Sequence, residues 1–175
     1  GYGQQRPEPF LAGLAAVKGD AAMHETEALH IRRMTAEDLE PLHRLLSDPA
    51  VMRYLEPPFT REQTEAFLQK AGMGPEPLVW AVEDGRGFAG YVIYHPYDET
   101  SMELGWVLAP DRWGRGYALA LTRQMICRAR RNGRDAVIEC HPGQTVTRHI
   151  AEKLGFRPCG MDGGCCVYRL AGENE

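Results

Sequence analysis

Apolar residues recur along this chain with two different spacings, which predict an alternation of strands and helices. After the turn at 114–116, apolar side chains return every three or four positions, as they do on one stripe of a helix. Shorter apolar runs bounded by turn residues are typical of strands. The predicted strands are 29–32, 78–82, 87–94, 102–108, 136–140, 156–160 and 165–170. The predicted helices begin after Thr35 and Thr60 and cover 118–129 and 144–154.

The order of these elements predicts an α/β (α+β) fold built on one mixed sheet. Short turns at 84–85 and 96–98 favour antiparallel neighbours. A helix between the strands at 102–108 and 136–140 requires a parallel crossover at the centre of the sheet. We therefore expect a mostly antiparallel sheet of about six or seven strands, flanked by about four helices.

Composition and charge narrow the classes of protein to which the chain can belong. With 43% hydrophobic and 25% charged residues, it matches an ordinary globular protein, and we assign residues 23–175 to one domain. Residues 1–22, rich in Gly, Pro, Gln and Ala, are interpreted as a leader, a tag remnant or a peripheral segment. A net charge of -4 without a long basic run argues against nucleic acid as a partner. No apolar stretch approaches the roughly 20 residues of a membrane span.

The cysteines bear on the redox setting. There are 5 of them, and no Cys-x-x-Cys spacing occurs. This pattern argues against a disulfide framework or a zinc site, and it favours a cytoplasmic protein without a metal.

Residues 104–118 combine an apolar strand, a glycine turn and a helix start, an arrangement that can hold an anion. The first amides of a helix lack intrahelical partners, and glycines at 114 and 116 would let a phosphate approach the backbone. A P-loop is excluded because no Lys-Ser or Lys-Thr occurs in the chain. A dinucleotide fingerprint stays open: Leu119 replaces its third glycine, but Glu139 lies at the distance of its ribose-binding acid.

A third type of loop matches better. The run Trp-Gly-Arg-Gly-Tyr-Ala at 113–118 resembles the acyl-CoA loop of the GNAT superfamily of N-acetyltransferases, [Q/R]-x-x-G-x-[G/A]. Trp113 replaces the first residue of that pattern, as in the branch of ribosomal-protein N-terminal acetyltransferases. Glu-Lys-Leu-Gly-Phe at 152–156 resembles a second family motif, and the order of elements is that of the GNAT fold.

This resemblance implies that acetyl-CoA is the donor and that its pyrophosphate binds the glycine loop. It also implies that main-chain groups at the end of a splayed fourth strand pair with the pantetheine arm, while two arginines add positive charge near the phosphates. The residues expected to contact the donor are Val107, Leu108, Arg112, Trp113, Gly114, Arg115, Gly116, Tyr117, Ala118 and Gln144.

Removing a proton from an alkyl ammonium group requires a base, and Glu103 is the best-placed carboxylate. Strand alternation puts Met102, Leu104, Trp106 and Leu108 on one face, with Glu103, Gly105 and Val107 on the other. Gly105 would leave room there for a substrate or for the donor. Many relatives protonate the leaving thiolate with a tyrosine, but Ala151 stands at that position. Thr147, one turn earlier, is expected either to act as the acid or to hydrogen-bond at the helix N-terminus.

Several residues have alternative interpretations. His141 is a second candidate base, and Cys140 is expected in the core. The turn residues Tyr94, His95 and Tyr97 are candidates for the acceptor pocket. Acceptor specificity is expected to reside at 48–75 and 94–101.

The expected activity is direct acetyl transfer to a primary amine, either a protein N-terminus or a small molecule, by a monomer or homodimer. The alternative is a non-catalytic acyl-CoA-binding or protein-interaction module on the same fold.

Overall fold

One seven-stranded sheet runs through the computed structural model, which describes residues 28–172. The spatial order of its strands is β1-β2-β3-β4-β5-β7-β6. Neighbours are antiparallel except for β4 and β5, which are parallel. The strands are β1 (His30–Arg32), β2 (Val79–Asp84), β3 (Gly87–Pro96), β4 (Ser101–Leu108), β5 (Asp135–Cys140), β6 (Arg157–Asp162) and β7 (Cys165–Leu170). The mixed α/β architecture predicted from the sequence is confirmed, and the prediction for residues 1–22 lies outside the described residues.

Five α-helices accompany the sheet in the described part of the chain. They are α1 (Leu39–Leu46), α2 (Pro49–Met52), α3 (Arg61–Phe67), α4 (Tyr117–Arg131) and α5 (Thr145–Lys153). Short 3-10 turns cover Ala36–Asp38 and Pro110–Arg112, and a π turn, Leu68–Gly72, extends α3. Within residues 28–172, none of these helices is long and apolar enough to cross a membrane.

The start of α3 shows how local sequence determines an element. The side chain of Thr60 accepts a hydrogen bond from the Gln63 amide at 3.1 Å, and the Gln63 side chain accepts one from the Thr60 amide at 2.8 Å. This reciprocal cap satisfies two amides that the helix itself cannot pair.

Each face of the sheet carries its own hydrophobic core. On one face, α4 and α5 cover a cluster that includes Leu104, Leu121, Met125 and Ile138. On the other face, α1 and the segment after α3 cover a cluster that includes Leu42, Leu46, Leu68, Val79 and Val107. The even-numbered residues of β4 therefore face α4, as the alternation predicted, and Val107 faces the opposite way.

The parallel pair β4–β5 is short. It extends only from Ser101 opposite Asp135 to Glu103 opposite Val137. On its other side, β4 stays paired with β3 as far as Leu108. The two central strands therefore part immediately after Glu103, which gives the splayed strand that the sequence comparison implied.

Candidate active site

A cleft of about 570 Å³ lies where β4 and β5 separate. It is bounded by the end of β4, the glycine loop with the first turn of α4, the start of α5, and the residues that follow α2. Of the residues predicted from sequence, those lining it are Val107, Leu108, Arg112, Trp113, Gly114, Gly116, Tyr117, Ala118, Gln144 and Thr147. Glu103 and Arg115 are not among its lining residues.

The floor of the cleft is the N-terminus of α4. Gly114 and Gly116 have φ angles of 73° and 80°, in the left-handed region. A Cβ at either position would meet no atom within 4 Å, so backbone conformation rather than crowding requires glycine. Gly116 caps the helix without a side chain, and the first helical hydrogen bond runs from the Ala120 amide to the Gly116 carbonyl at 3.1 Å. The amides that precede this bond have no partner within the helix, which is the general property that lets a helix N-terminus bind an anion.

Arg112 occupies a different place from the one expected. Its guanidinium is buried and donates to both carboxylate oxygens of Asp84, at 3.0 and 3.1 Å, and to Asp111. Asp84 also accepts from the Tyr117 hydroxyl at 2.9 Å. The hydrogen bonds from Arg112 hold the pKa of Asp84 well below its usual range, while Asp84 raises the pKa of Arg112. Because two carboxylates neutralise it, Arg112 ties the loop to β2, and the positive charge expected near a phosphate is not provided by this residue.

Sequence reasoning missed Asp84, although it supplies the acceptors for this network. It stands 28 residues before Arg112. The available signal was a carboxylate that opens the predicted turn at 84–85 and that the structure places at the last position of β2.

The main-chain groups of successive β4 residues point alternately toward β3 and toward the open side of the strand. A Cβ at Gly90 would collide with the Val107 carbonyl oxygen, and the Ala109 amide donates to the Ala89 carbonyl at 2.9 Å. The main chain at Val107 and Ala109 therefore faces β3. Because successive residues of a strand alternate, the main chain at Trp106 faces the open edge. Contrary to the expectation, the main chain of Val107 is therefore engaged by β3, and the main chain of Trp106, which sequence reasoning did not select, faces the open edge.

The loop adds two further contacts. The indole of Trp113, which is half-exposed, donates to the Leu108 carbonyl at 2.8 Å, so that this oxygen already has a partner. The Nε of Arg115 donates to the Asp111 carbonyl at 3.1 Å. Both contacts fold the loop back onto itself and onto the end of β4.

Glu103 lies at the point where β4 and β5 part, and it does not stand alone. Its Oε2 is 3.0 Å from Nε2 of His95, which lies directly opposite it in the β3–β4 register. The space expected beside Gly105 for a substrate or the donor is occupied by the Ile93 side chain, because a Cβ added at Gly105 would lie 3.0 Å from it. Tyr94, on the opposite face from His95, is buried in the core under α4, so its assignment to the acceptor pocket is wrong.

The start of α5 forms the wall opposite the loop. Gln144 precedes the helix, and its side-chain oxygen accepts from the His141 amide at 2.8 Å. Thr147 faces the cleft one turn further on. Ala151, where relatives carry a tyrosine, is fully buried in the core.

The residues after α2 contact the loop that leads into α5. The Tyr54 ring stacks on His141 with centroids 5.0 Å apart, and the Arg53 guanidinium lies 4.9 Å from the Tyr54 ring centroid. A Cβ at Gly143 would lie 2.5 Å from the Tyr54 ring, so this glycine permits the close approach. Nδ1 of His141 accepts from the Gly143 amide at 2.9 Å, which engages one of its two ring nitrogens. The 48–55 segment therefore lies beside the predicted cofactor residues of α5.

The cysteines differ in exposure, with Cys127 and Cys159 exposed and Cys140 buried. Cys140 is buried as expected, and burial raises the pKa of its thiol to about 11. All five are free thiols. Within residues 28–172, no group of three or more His, Cys, Asp or Glu side chains is arranged to hold a metal ion.

Comparison with known proteins agrees with this geometry. Residues 28–157 match the family described as acetyltransferase (GNAT) domain. The uncharacterized N-acetyltransferase YnaD of Bacillus subtilis is 27% identical over an alignment of 145 residues that covers 80% of this chain and 85% of YnaD. The crystal structure of a GNAT-family acetyltransferase from Bacillus anthracis has a TM-score of 0.74 at 26% identity, covering 85% of this chain and 98% of that one.

The fold is also that of RimL, a ribosomal L7/L12 alpha-N-protein acetyltransferase whose structure contains coenzyme A. The TM-score is 0.69 at 16% identity, covering 84% of this chain and 96% of RimL. The family match, the curated relative and the cleft at the strand fork lead to one conclusion: this chain belongs to the GNAT family of acetyltransferases.

Proposed function

We propose that this chain transfers the acetyl group of acetyl-CoA directly to a primary amine, with Glu103 as the general base. The observation that carries the proposal is the cleft itself. It opens at a fork between two parallel strands and is closed at one end by a glycine-capped helix N-terminus. This is the shape that a long ligand with an anionic group near one end requires.

The placement of the donor follows from the chemistry of the cleft walls. The backbone of residues 114–118 would take the pyrophosphate, because unpaired helix amides and the helix dipole favour anions. The pantetheine amides would pair with the open edge of β4 at Trp106 and Leu108. Gln144 and Thr147 would contact the arm from the side of α5. These assignments place the thioester near the fork, where Glu103 lies.

The reaction requires a proton to leave the acceptor. The acceptor nitrogen attacks the thioester carbon, an N–C bond forms, the C–S bond breaks, and coenzyme A leaves as a thiolate that takes up a proton. Lysine-like amines have a reference pKa of about 10.4, so most of the acceptor is protonated at neutral pH. Glu103 at the fork would accept this proton, directly or through a water molecule. Thr147 would hydrogen-bond the departing sulfur, which needs little help because a free thiol has a reference pKa of about 8.5.

The experiment compares Glu103→Gln with Glu99→Gln, an exposed carboxylate on the turn that precedes the same strand. Turnover is measured by the release of coenzyme A, and affinity for coenzyme A is measured by calorimetry. We expect Glu103→Gln to lose roughly 10²–10⁴-fold in rate with unchanged affinity, whereas Glu99→Gln behaves as wild type. Normal turnover in Glu103→Gln would show that the base is another group. Tight binding of coenzyme A without transfer to any amine would instead support the non-catalytic alternative.

A further inference from the structure

The pairing of His95 with Glu103 is built into the sheet. The two residues are directly opposite on β3 and β4, with Nε2 and Oε2 separated by 3.0 Å. On the other side of the ring, Nδ1 lies 2.9 Å from the carbonyl oxygen of Pro96. The side chains are 24% and 21% exposed, so both are largely buried but still in contact with solvent.

These contacts determine where the protons lie. A carbonyl oxygen can only accept, so Nδ1 of His95 must carry a hydrogen to bond with Pro96. An ionised carboxylate also only accepts, so while Glu103 is ionised Nε2 must carry a second hydrogen to bond with it. The arrangement is therefore an imidazolium paired with a carboxylate. If the proton on Nε2 is lost, two acceptors face each other across 3.0 Å, and the pair has a vacancy for one proton.

We infer that His95 and Glu103 form a single proton-accepting unit, in which Glu103 meets the acceptor amine and His95 holds the received proton on Nε2. This inference rests on the proposed function. Glu103 is the catalytic residue, and His95 is a positioning residue that acts through it. In the emptied pair, the N–H bond of the ammonium group breaks and the proton passes through Glu103 to Nε2. The pair releases this proton to solvent and then takes up the second N–H proton, which the nitrogen gives up once the N–C bond has formed. After the C–S bond breaks, this second proton can pass to the thiolate, which returns the pair to its emptied form.

Together with His95, Glu103 forms a pair whose proton affinity is higher than that of an isolated carboxylate. Glutamic acid has a reference pKa of about 4.3, which makes a carboxylate a weak base at neutral pH. The hydrogen bond to Glu103 raises the pKa of His95 above its ordinary 6.5, against the opposite effect of burial, and the Pro96 carbonyl raises it further. The proton vacancy of the pair therefore binds a proton more tightly than an ordinary imidazole or a lone carboxylate does.

Tyr97, two positions after His95, is a titratable residue close to the pair along the chain. The hydroxyl of Tyr97, in the β3–β4 turn, donates to Glu139 of β5 at 2.7 Å. That bond raises the pKa of Tyr97 to about 12, with smaller contributions from Asp162 of β6 and from Glu103. Tyr97 thus stays neutral and adds no charge beside the pair. Because the active form of the pair is the emptied one, the rate should rise with pH.

The first test is kinetic and uses spermidine and a hexapeptide that begins with alanine as acceptors. The turnover of wild type, His95→Gln and His30→Gln is followed from pH 5.5 to 9.5. Glutamine can still donate to Glu103 but cannot store a proton. We expect the turnover of wild type and of His30→Gln to rise with pH along the same curve. In His95→Gln this rise should disappear, and turnover should fall by roughly 10- to 100-fold. The acceptor amine also titrates with pH, but this effect on the rate is the same for every variant assayed with the same acceptor. The difference between variants therefore reports on the protein. An unchanged rise in His95→Gln would overturn the inference.

The second test does not depend on turnover. The imidazole resonances of His95 are titrated by NMR in the wild-type protein and in Glu103→Gln. The pair predicts an apparent pKa above 6.5 in wild type that falls toward this ordinary value in the variant. Identical titrations would refute the shared proton. If neither acceptor is acetylated, the proposed acceptor class fails, and the titration alone decides whether the pair exists.

Discussion

Replacing Gly116 with alanine tests whether the loop before α4 binds the donor. Gly116 has a φ of 80° and lines the cleft, and a Cβ there meets no protein atom within 4 Å. The added methyl group therefore has two separable effects. It strains the backbone, and it occupies space that a bound phosphate would use.

The size of each effect can be worked out. A non-glycine residue in the left-handed region costs about 1–2 kcal/mol, and the loss of unfolded-state freedom offsets about 0.4–1 kcal/mol of it. The net destabilisation should be about 1 kcal/mol, or roughly 2–4 °C in melting temperature for a chain of this size. Displacing the phosphate from one amide forfeits a hydrogen bond to a charged group, about 1.5–3 kcal/mol. That loss corresponds to a roughly 10- to 150-fold weaker Kd for coenzyme A.

Gly133→Ala is the matched control. Gly133 follows α4 with a φ of 66°, its added Cβ also meets no atom within 4 Å, and it does not line the cleft. Urea unfolding should show the same small destabilisation for both variants, while calorimetry with coenzyme A should show weaker binding only for Gly116→Ala. Equal affinities in the two variants would refute the phosphate-binding role of the loop. Unchanged stability in both would refute the argument from backbone conformation.

Three further predictions concern buried or paired groups. Asp84→Ala should lower the free energy of unfolding in urea by up to about 3–5 kcal/mol, because it leaves the buried Arg112 with only the exposed carboxylate of Asp111. Glu40→Ala, which breaks an exposed pair, should cost less than about 1 kcal/mol, and similar costs for the two variants would show that burial is unimportant here. The raised pKa of His95 stabilises the folded state below pH 6.5, and this stabilisation is lost as the pH rises through the higher pKa of the folded state. The difference in unfolding free energy between wild type and His95→Gln should therefore shrink from pH 6 to pH 9. A difference that grows with pH would contradict the upward direction of the pKa shift. Iodoacetamide at pH 8 should modify the exposed Cys127 and spare Cys140, whose thiol has a pKa raised to about 11, as peptide mass spectrometry can check; alkylation of Cys140 in the folded protein would contradict its burial.

Much of the fold could be predicted because its signals are local. The cap at Thr60, the glycines at 114 and 116, and the alternation along β4 each depend on a few neighbouring residues. The resemblance to the acyl-CoA loop was also contained in one short segment. For these features, the chain segment carries the physical cause of its own conformation.

Contacts between distant segments were beyond this kind of reasoning. Arg112 was assigned to a phosphate because its partner Asp84 comes from another strand. The role of Val107 was misplaced because main-chain direction depends on pairing with β3 around Gly90, not on the apolar pattern of β4. His95 was noticed as a turn residue, but its place opposite Glu103 follows from a strand register that spacing alone does not determine.

The short junction of β4 and β5 also has a mechanical consequence. Three residue pairs join the four strands on one side of the sheet to the three strands on the other. A force that separates these two parts of the sheet is resisted by the β4–β5 junction and by α4, which connects β4 to β5 along the chain. A molecule bound between the separated ends of β4 and β5, with contacts to both parts of the sheet, would add contacts across this junction. Binding at this site would then be registered throughout the sheet as greater stiffness, even where no atom changes its average position.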